Sequence, residues 1–339
     1  MIKLKTEIAI GFVFLLLISG FDIRAQDVAF SQFYSNPLYL NPAFAGSLGV
    51  GRAAVQYRNQ WQNFSAAFNT YSLAFDFPVK KLQGGLGFFV LNDSQAAGSL
   101  QSLQLNAVYS VFVKLSESYR LQGAIQAGFH QNSLRPDKLV FPDNLDPFYG
   151  NHGISREMEF LTNPNYSFFD FSTGVILYNQ KIFGGLAVHH LAEPNRTFYP
   201  GTTGADVLHR KYTAHFGARL PVFFYGHHRK KFDISPQIIM QHQQGFGQMN
   251  YGLFATQSGL TAGIWFRQNF GLRYDALILL AGFTKSRWQI NYSYDIAVSG
   301  LWGNVGGTSE ISLVFLLQQL EKARHLPFYN AFEDDSGFQ

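Results

Sequence analysis

The sequence predicts an all-β protein, a transmembrane antiparallel outer-membrane β-barrel of about 14 strands. Three observations carry that expectation. Apolar and polar side chains alternate strictly in segment after segment. The segments have the length that a tilted strand needs to cross a bilayer. The connectors between them are short and long by turns.

Alternation is clearest from Arg287 to Ile296. Trp288, Ile290, Tyr292, Tyr294 and Ile296 hold one parity, and Arg287, Gln289, Asn291, Ser293 and Asp295 the other. In a strand these two sets face opposite sides of the sheet. Tyr212–Leu220, Asn69–Phe77 and Leu121–His130 repeat the pattern, and Phe232–Gln241 keeps it except at Ile239. Strands are expected near 52–59, 68–78, 84–92, 100–113, 119–131, 168–178, 182–190, 210–222, 231–242, 247–256, 259–268, 273–283, 286–297 and 308–317. Their number is even, as in bacterial single-chain barrels. If the first strand runs outward, every inner connector is short. The two longest connectors, 132–167 and 191–209, then both fall on the outer side. A soluble β-sandwich core, the competing reading of the apolar stripes, has no reason to sort its loops this way.

Composition agrees. Charged residues are 14% and aromatics 17%, with 35 Phe and 17 Tyr, yet the mean hydropathy is −0.04. A disordered chain is charge-rich and aromatic-poor. A helical membrane bundle is far more apolar, and an ordinary soluble globule carries more charge. A barrel is apolar outside and polar inside, with aromatic girdles, which reconciles the figures. There are no cysteines, which removes disulfides, Cys-ligated zinc and Cys nucleophiles. The net charge of +4 is scattered, so nucleic acid is not an expected partner.

The chain divides into four parts. Residues 1–25 read as a signal peptide, with Lys3 and Lys5 ahead of an apolar stretch from Ile8 to Ile18 and cleavage after Ala25. No cysteine follows to carry a lipid. Residues 26–50 form a pre-barrel segment, 51–317 the barrel, and 318–339 a polar tail with Glu333-Asp334-Asp335, expected in the periplasm.

Candidates for chemistry are weak. His189-His190 and His227-His228 resemble metal-ligand pairs, but strand neighbours face opposite sides. There is no HExxH and no GxSxG. His130, His215 and His242 sit at polar-parity positions with no serine marked as partner. Phe141-Pro142-Asp143-Asn144-Leu145-Asp146 lacks calcium-loop spacing. Gly84-Gly85-Leu86-Gly87 and Gly184-Gly185-Leu186-Ala187 precede no helix, so they read as tight bends rather than phosphate cradles. The protein is therefore expected not to be an enzyme and to need no cofactor or metal. Its lumen is expected to be narrow or plugged, with Phe254 and Trp265 among the bulky inward residues.

The segment from Gln26 to Ser47 is too apolar for a free tail and too broken for a spanning strand. Its two steps, Asn36-Pro37 and Asn41-Pro42, favour turns. It reads as a plug in the inner mouth, as a docking surface, or as both. The run Phe30-Ser31-Gln32-Phe33-Tyr34-Ser35-Asn36-Pro37-Leu38-Tyr39-Leu40-Asn41-Pro42-Ala43-Phe44-Ala45-Gly46 resembles the opening signature of the PorP/SprF family of Bacteroidetes outer-membrane proteins. Further matches are Arg58 with Gln60-Trp61, Gly84-Gly85-Leu86-Gly87, Phe141-Pro142-Asp143, and His190-Leu191-Ala192-Glu193-Pro194-Asn195. Trp265-Phe266-Arg267, Tyr292-Ser293-Tyr294-Asp295 and Glu310 complete them.

The resemblance implies an outer-membrane component of the type IX secretion system that helps secrete or anchor a large cell-surface protein, an adhesin or a gliding-related one. A passive channel for small solutes is the alternative. The expected partners are the lipid bilayer and lipopolysaccharide, an exported surface protein, and other type IX secretion components. The family has no established catalytic residues. Candidate docking residues are Phe33, Tyr34, Asn36, Pro37, Tyr39, Asn41, Pro42 and Phe44 in the pre-barrel segment. Phe141, Asp143, Glu193 and Asn195 are their counterparts in the outer loops.

Overall fold

A computed structural model describes residues 27–63, 67–141, 143, 145–146, 150–151, 155, 164–198, 207–224, 230–298 and 306–317. The expected signal peptide and polar tail lie outside the described residues, as does His227-His228.

The main sheet is all antiparallel. Its strands are β1 (Arg52–Gln60), β2 (Phe68–Val79), β3 (Gly84–Gln95), β4 (Leu100–Lys114), β5 (Arg120–Leu134), β8 (Asn165–Tyr178) and β9 (Ile182–His189). They continue with β10 (Lys211–Ala218), β11 (Leu220–Phe224), β12 (Lys230–Gln243), β13 (Phe246–Gln257), β14 (Leu260–Asn269), β15 (Tyr274–Lys285), β16 (Trp288–Ala297) and β17 (Thr308–Leu316). A two-residue hairpin, β6 (Leu145–Asp146) with β7 (Gly150–Asn151), stands apart in the longest loop.

Each strand pairs with its neighbours in order, and β1 pairs with β17 from Arg52↔Leu316 to Gln60↔Thr308, which closes the ring. β10 and β11 are two halves of one stave, because both pair with β12 in a single register. That register runs from Gly217↔Gln237 to Leu220↔Ile234, so Ala218 lies opposite Pro236, which has no N–H to donate. Counting the two halves as one gives a closed barrel of 14 staves. Among the described residues no helix is long and apolar enough to cross a membrane; the strands do so.

The side chains sort as the alternation requires. Ile125, Phe169 and Leu186 are 65%, 69% and 60% exposed on the outer face, where lipid takes the place of water. Wall residues of the opposite parity, such as Gln122, Ser172 and Asn106, are buried toward the lumen. Ile239, the apparent break in the pattern, also points inward, against an apolar belt that includes Trp265, Ile278 and Ile176.

Connectors sort too. The chain turns at 80–83, 115–119, 179–181, 258–259 and 286–287 at one end. The long crossings 135–164 and 190–210 lie at the other. By the rule for such barrels, the short-turn end is periplasmic and the long-loop end faces outward. Several staves run past their expected outer ends, β5 to Leu134 and β8 back to Asn165. Hydrogen bonding between neighbours sustains these extensions after the apolar alternation has stopped.

Candidate functional site

The lumen is filled by the chain's own residues 27–50, and the contact between this segment and the wall is the candidate site. Each Asn-Pro step opens a single turn. Pro37–Leu40 is one α-turn and Pro42–Phe44 one 3₁₀ turn, with proline at the first helical position of each. Proline costs nothing there, because that N–H has no helical partner anyway. Asn41 caps the second turn by accepting from the Ala43 N–H at 2.9 Å.

The segment runs the length of the lumen. At the inner end, the Gly46 N–H donates to Asp76 Oδ2 at 2.8 Å, and Asp76 is gripped by Arg52. The Ala45 carbonyl accepts from Ser110 and from Gln122, both at 2.7 Å. Midway, the Asn41 amide donates to the Val175 and Leu186 carbonyls of β8 and β9, at 3.2 and 3.1 Å. Asn36 donates to Ser72 Oγ at 2.7 Å.

The outer half holds the densest cluster. Glu310 on β17 accepts the consecutive backbone N–H groups of Ser31 and Gln32 at 2.8 and 2.9 Å. It also accepts from Arg58 at 2.8 Å and from Gln56 at 2.5 Å. The Ser31 hydroxyl donates to Asp295 at 2.6 Å and accepts from Arg58 and Arg267 at 2.8 and 2.9 Å. Arg267 donates to Asp295 at 3.0 Å. Two arginines and two carboxylates from β1, β14, β16 and β17 therefore hold one Ser-Gln step, with formal charges that cancel. A register shift at Arg267/Gln268 brings two consecutive side chains inward, which alternation alone forbids.

Beyond this cluster, Asp27 meets His190 Nε2 at 2.8 Å and Lys211 Nζ at 2.6 Å, and His190 Nδ1 meets Asp170 at 2.7 Å. Burial opposes the Asp27 charge, but Lys211 and His190 hold its carboxyl well below the usual carboxylate range. His190 lies just past the end of β9. Burial opposes its charge as well, but the two aspartates raise it to about 9.

Apolar contacts complete the fit. Phe33 packs on Trp265 with ring centroids 5.5 Å apart, Tyr34 on Phe183 at 5.9 Å, and Phe44 on His215 at 5.2 Å. Tyr39 donates to the Val28 carbonyl at 2.8 Å and carries Lys211 over its ring at 4.7 Å.

Three sequence expectations change. The plug expected at the inner mouth reaches the outer third of the lumen, because the partners of Asp27, Ser31 and Gln32 exist only there. The Gly84–Gly87 run does more than bend. A Cβ on Gly85 would overlap the Ala45–Gly46 backbone, and one on Gly87 would crowd Leu38 and Ala45. His189 and His190 are both buried, because His190 takes a left-handed φ of 59° that breaks the alternation. His189 then reaches the Leu40 carbonyl at 3.3 Å.

The expected docking residues fall into two groups. Phe33, Tyr34, Asn36, Pro37, Asn41, Pro42 and Phe44 are buried against the wall and Tyr39 is half-buried, so the wall already occupies the surface they offer. The other four lie in the outer loops. Phe141 is half-buried, and Asp143 accepts from Ser155 at 2.9 Å. Glu193 faces Arg210 at 3.6 Å, and Asn195 bridges to Val207. Sequence reasoning left Asp27, Ser31 and Gln32 unassigned. A signal for their partners was present, since Arg58, Arg267, Asp295 and Glu310 are ionisable residues at inward positions of spanning strands.

A closed, self-plugged, antiparallel barrel of this size is an outer-membrane protein, and the bacterial outer membrane is its place. The family model for the type IX secretion system membrane protein PorP/SprF matches residues 23–315. The chain belongs to that family, and its role is an outer-membrane one associated with type IX secretion. Family and fold together point to a non-enzymatic membrane protein that works with the membrane and with other secretion components. No relative matches among the curated proteins.

Among solved structures, the Ralstonia pickettii toluene transporter TbuX aligns at a TM-score of 0.44 and 10% identity, covering 83% of this chain and 92% of that one. A Pseudomonas aeruginosa FadL homologue aligns at 0.37 and 12% identity, covering 81% and 92%. A monoaromatic hydrocarbon channel, the TodX deltaS2S3 mutant, aligns at 0.38 and 12% identity, covering 85% and 94%.

Proposed function

We propose that this barrel anchors or helps release one large exported surface protein, an adhesin or gliding-related protein, on its outer loops, and catalyses nothing. The observation that carries this reading is the filled lumen. A pore occupied from Asp27 to Val50 by its own chain is built to hold, not to conduct. Lipopolysaccharide around the outer half is a further partner in this reading. The loops 132–167 and 191–209 are the docking surface, and their Phe, Tyr, Asp and Asn content suits recognition.

The test is to shorten both loops while leaving the staves intact, and to follow surface display of exported proteins in cells. Loss of one displayed protein, with the barrel still inserted, is the expected result. Unchanged display of every exported protein would refute the reading. Steady open steps from the wild-type barrel in planar bilayers would instead favour a passive channel.

A further inference from the structure

The two ends of the barrel differ in charge. The short turns expose six cations, Lys80, Lys81, Lys114, Lys181, Lys285 and Arg287. The exposed anion there among the described residues is Glu117, and it is already paired with Lys114 at 2.9 Å. Lys230 and Lys231 open β12 at the same end. The long-loop end is mixed instead. Arg210 faces Glu193 at 3.6 Å, and Arg135 and Lys138 flank Asp137.

We propose that the short-turn end forms a lysine–arginine collar that binds the phosphodiester headgroups of anionic phospholipids in the leaflet it meets. Two observations favour lipid over a protein partner. The cations sit at turns spread round the ring, between β2 and β3, β4 and β5, β8 and β9, and β15 and β16. A folded partner would engage one side of such a ring, whereas a leaflet meets all of it. Each basic turn also borders exposed apolar side chains: Leu82, Leu115, Ile182, and the pair Phe283 and Trp288. Those residues mark the edge of the hydrocarbon, which places the ammonium groups at phosphate depth. Long cationic side chains keep their stems in the apolar layer and their heads in the polar one, and a phosphate binds lysine as a point charge.

The test uses the purified full-length barrel in neutral detergent. Phosphatidylglycerol and phosphatidylethanolamine are offered separately, and retained lipid is counted by native mass spectrometry. The collar variant carries Lys80→Gln, Lys81→Gln, Lys181→Gln and Lys285→Gln, a second carries arginine at the same four positions, and a third carries Arg135→Gln and Lys138→Gln. Heat-modifiable migration reports folding, and Lys80→Gln with Lys81→Gln alone serves if the fourfold variant does not fold. The wild type should retain phosphatidylglycerol in preference. The glutamine variant should bind it more than about tenfold more weakly, and the arginine and outer-end variants should match the wild type. Equal retention of the two lipids, or phosphatidylglycerol binding unaffected by the glutamines, would overturn the proposal. Unaffected lipid binding together with lost crosslinking to secretion components would assign the collar to a protein and overturn it equally.

Discussion

Glu310→Gln isolates the hold of the wall on the lumen segment. The wild-type carboxylate satisfies four donors, two of them the Ser31 and Gln32 backbone N–H groups. An amide of the same shape offers one acceptor oxygen, and its NH₂ turns toward a donor. It also leaves Arg58 and Arg267 facing Asp295 alone. Hydrogen bonds to a charged group are worth about 1.5–3 kcal/mol each. Ser31 and Gln32 bond to different carboxylate oxygens, so one of the two backbone bonds is lost, which weakens seating of the segment by roughly 1.5–3 kcal/mol, a factor of about 10 to 10² in its bound-to-free ratio. The wall loses less, because its strand ladder is untouched and Arg58 keeps Asp295 at 3.3 Å. The chain has no cysteine, so Ser35→Cys reports segment release without background. In the parent barrel that thiol should resist a membrane-impermeant maleimide. In the Glu310→Gln background it should label, and bilayer conductance should rise. A doubly substituted barrel that stays silent and unlabelled would show that the charged cluster does not hold the segment.

Gly85→Ala should loosen the inner end of the segment, because the new methyl group meets the Ala45–Gly46 backbone, while Gly184→Ala, which meets the Phe216 ring edge at 3.3 Å, should be mild; limited proteolysis of the two variants compares them. Trp265→Ala removes the platform under Phe33 and should cost about 3–5 kcal/mol, read as an earlier loss of heat-modifiable migration. The Asp27–His190 contact has a defined pH window. With His190 raised to about 9, its contribution is complete below the ordinary histidine range and is lost as pH rises through about 9. The Asp27 contribution survives until pH falls well below the usual carboxylate range. A nitroxide at Ala29→Cys should therefore be more mobile at pH 10 than at pH 6, with Lys211 still holding Asp27 at the higher value, and Asp27→Asn should raise its mobility at both. Equal mobility of the parent at the two values would contradict the assignment.

Much of the wall was legible in the sequence, because one physical rule governs each stave. Side chains alternate between lipid and lumen, so Tyr71 and Leu73 announce one face and Ser72 and Asp76 the other without reference to anything distant. Loop parity then fixed which connectors share an end. The split stave at Ala218 was also written locally, in Pro236, but only pairing reveals that the two residues are opposite. The docking set was less legible. Phe33, Tyr34 and Phe44 look like a surface seeking a partner, and in the structure they pack against the same chain's own wall.

Local sequence thus determined the strands, their facing and the two unlike ends, since strand period and hydrocarbon length act over a few residues at a time. Tertiary structure alone decided that Arg58, Arg267, Asp295 and Glu310 converge on Ser31 and Gln32. These groups lie up to 279 residues apart, and closure of the ring together with one bulge brings them within hydrogen-bonding distance.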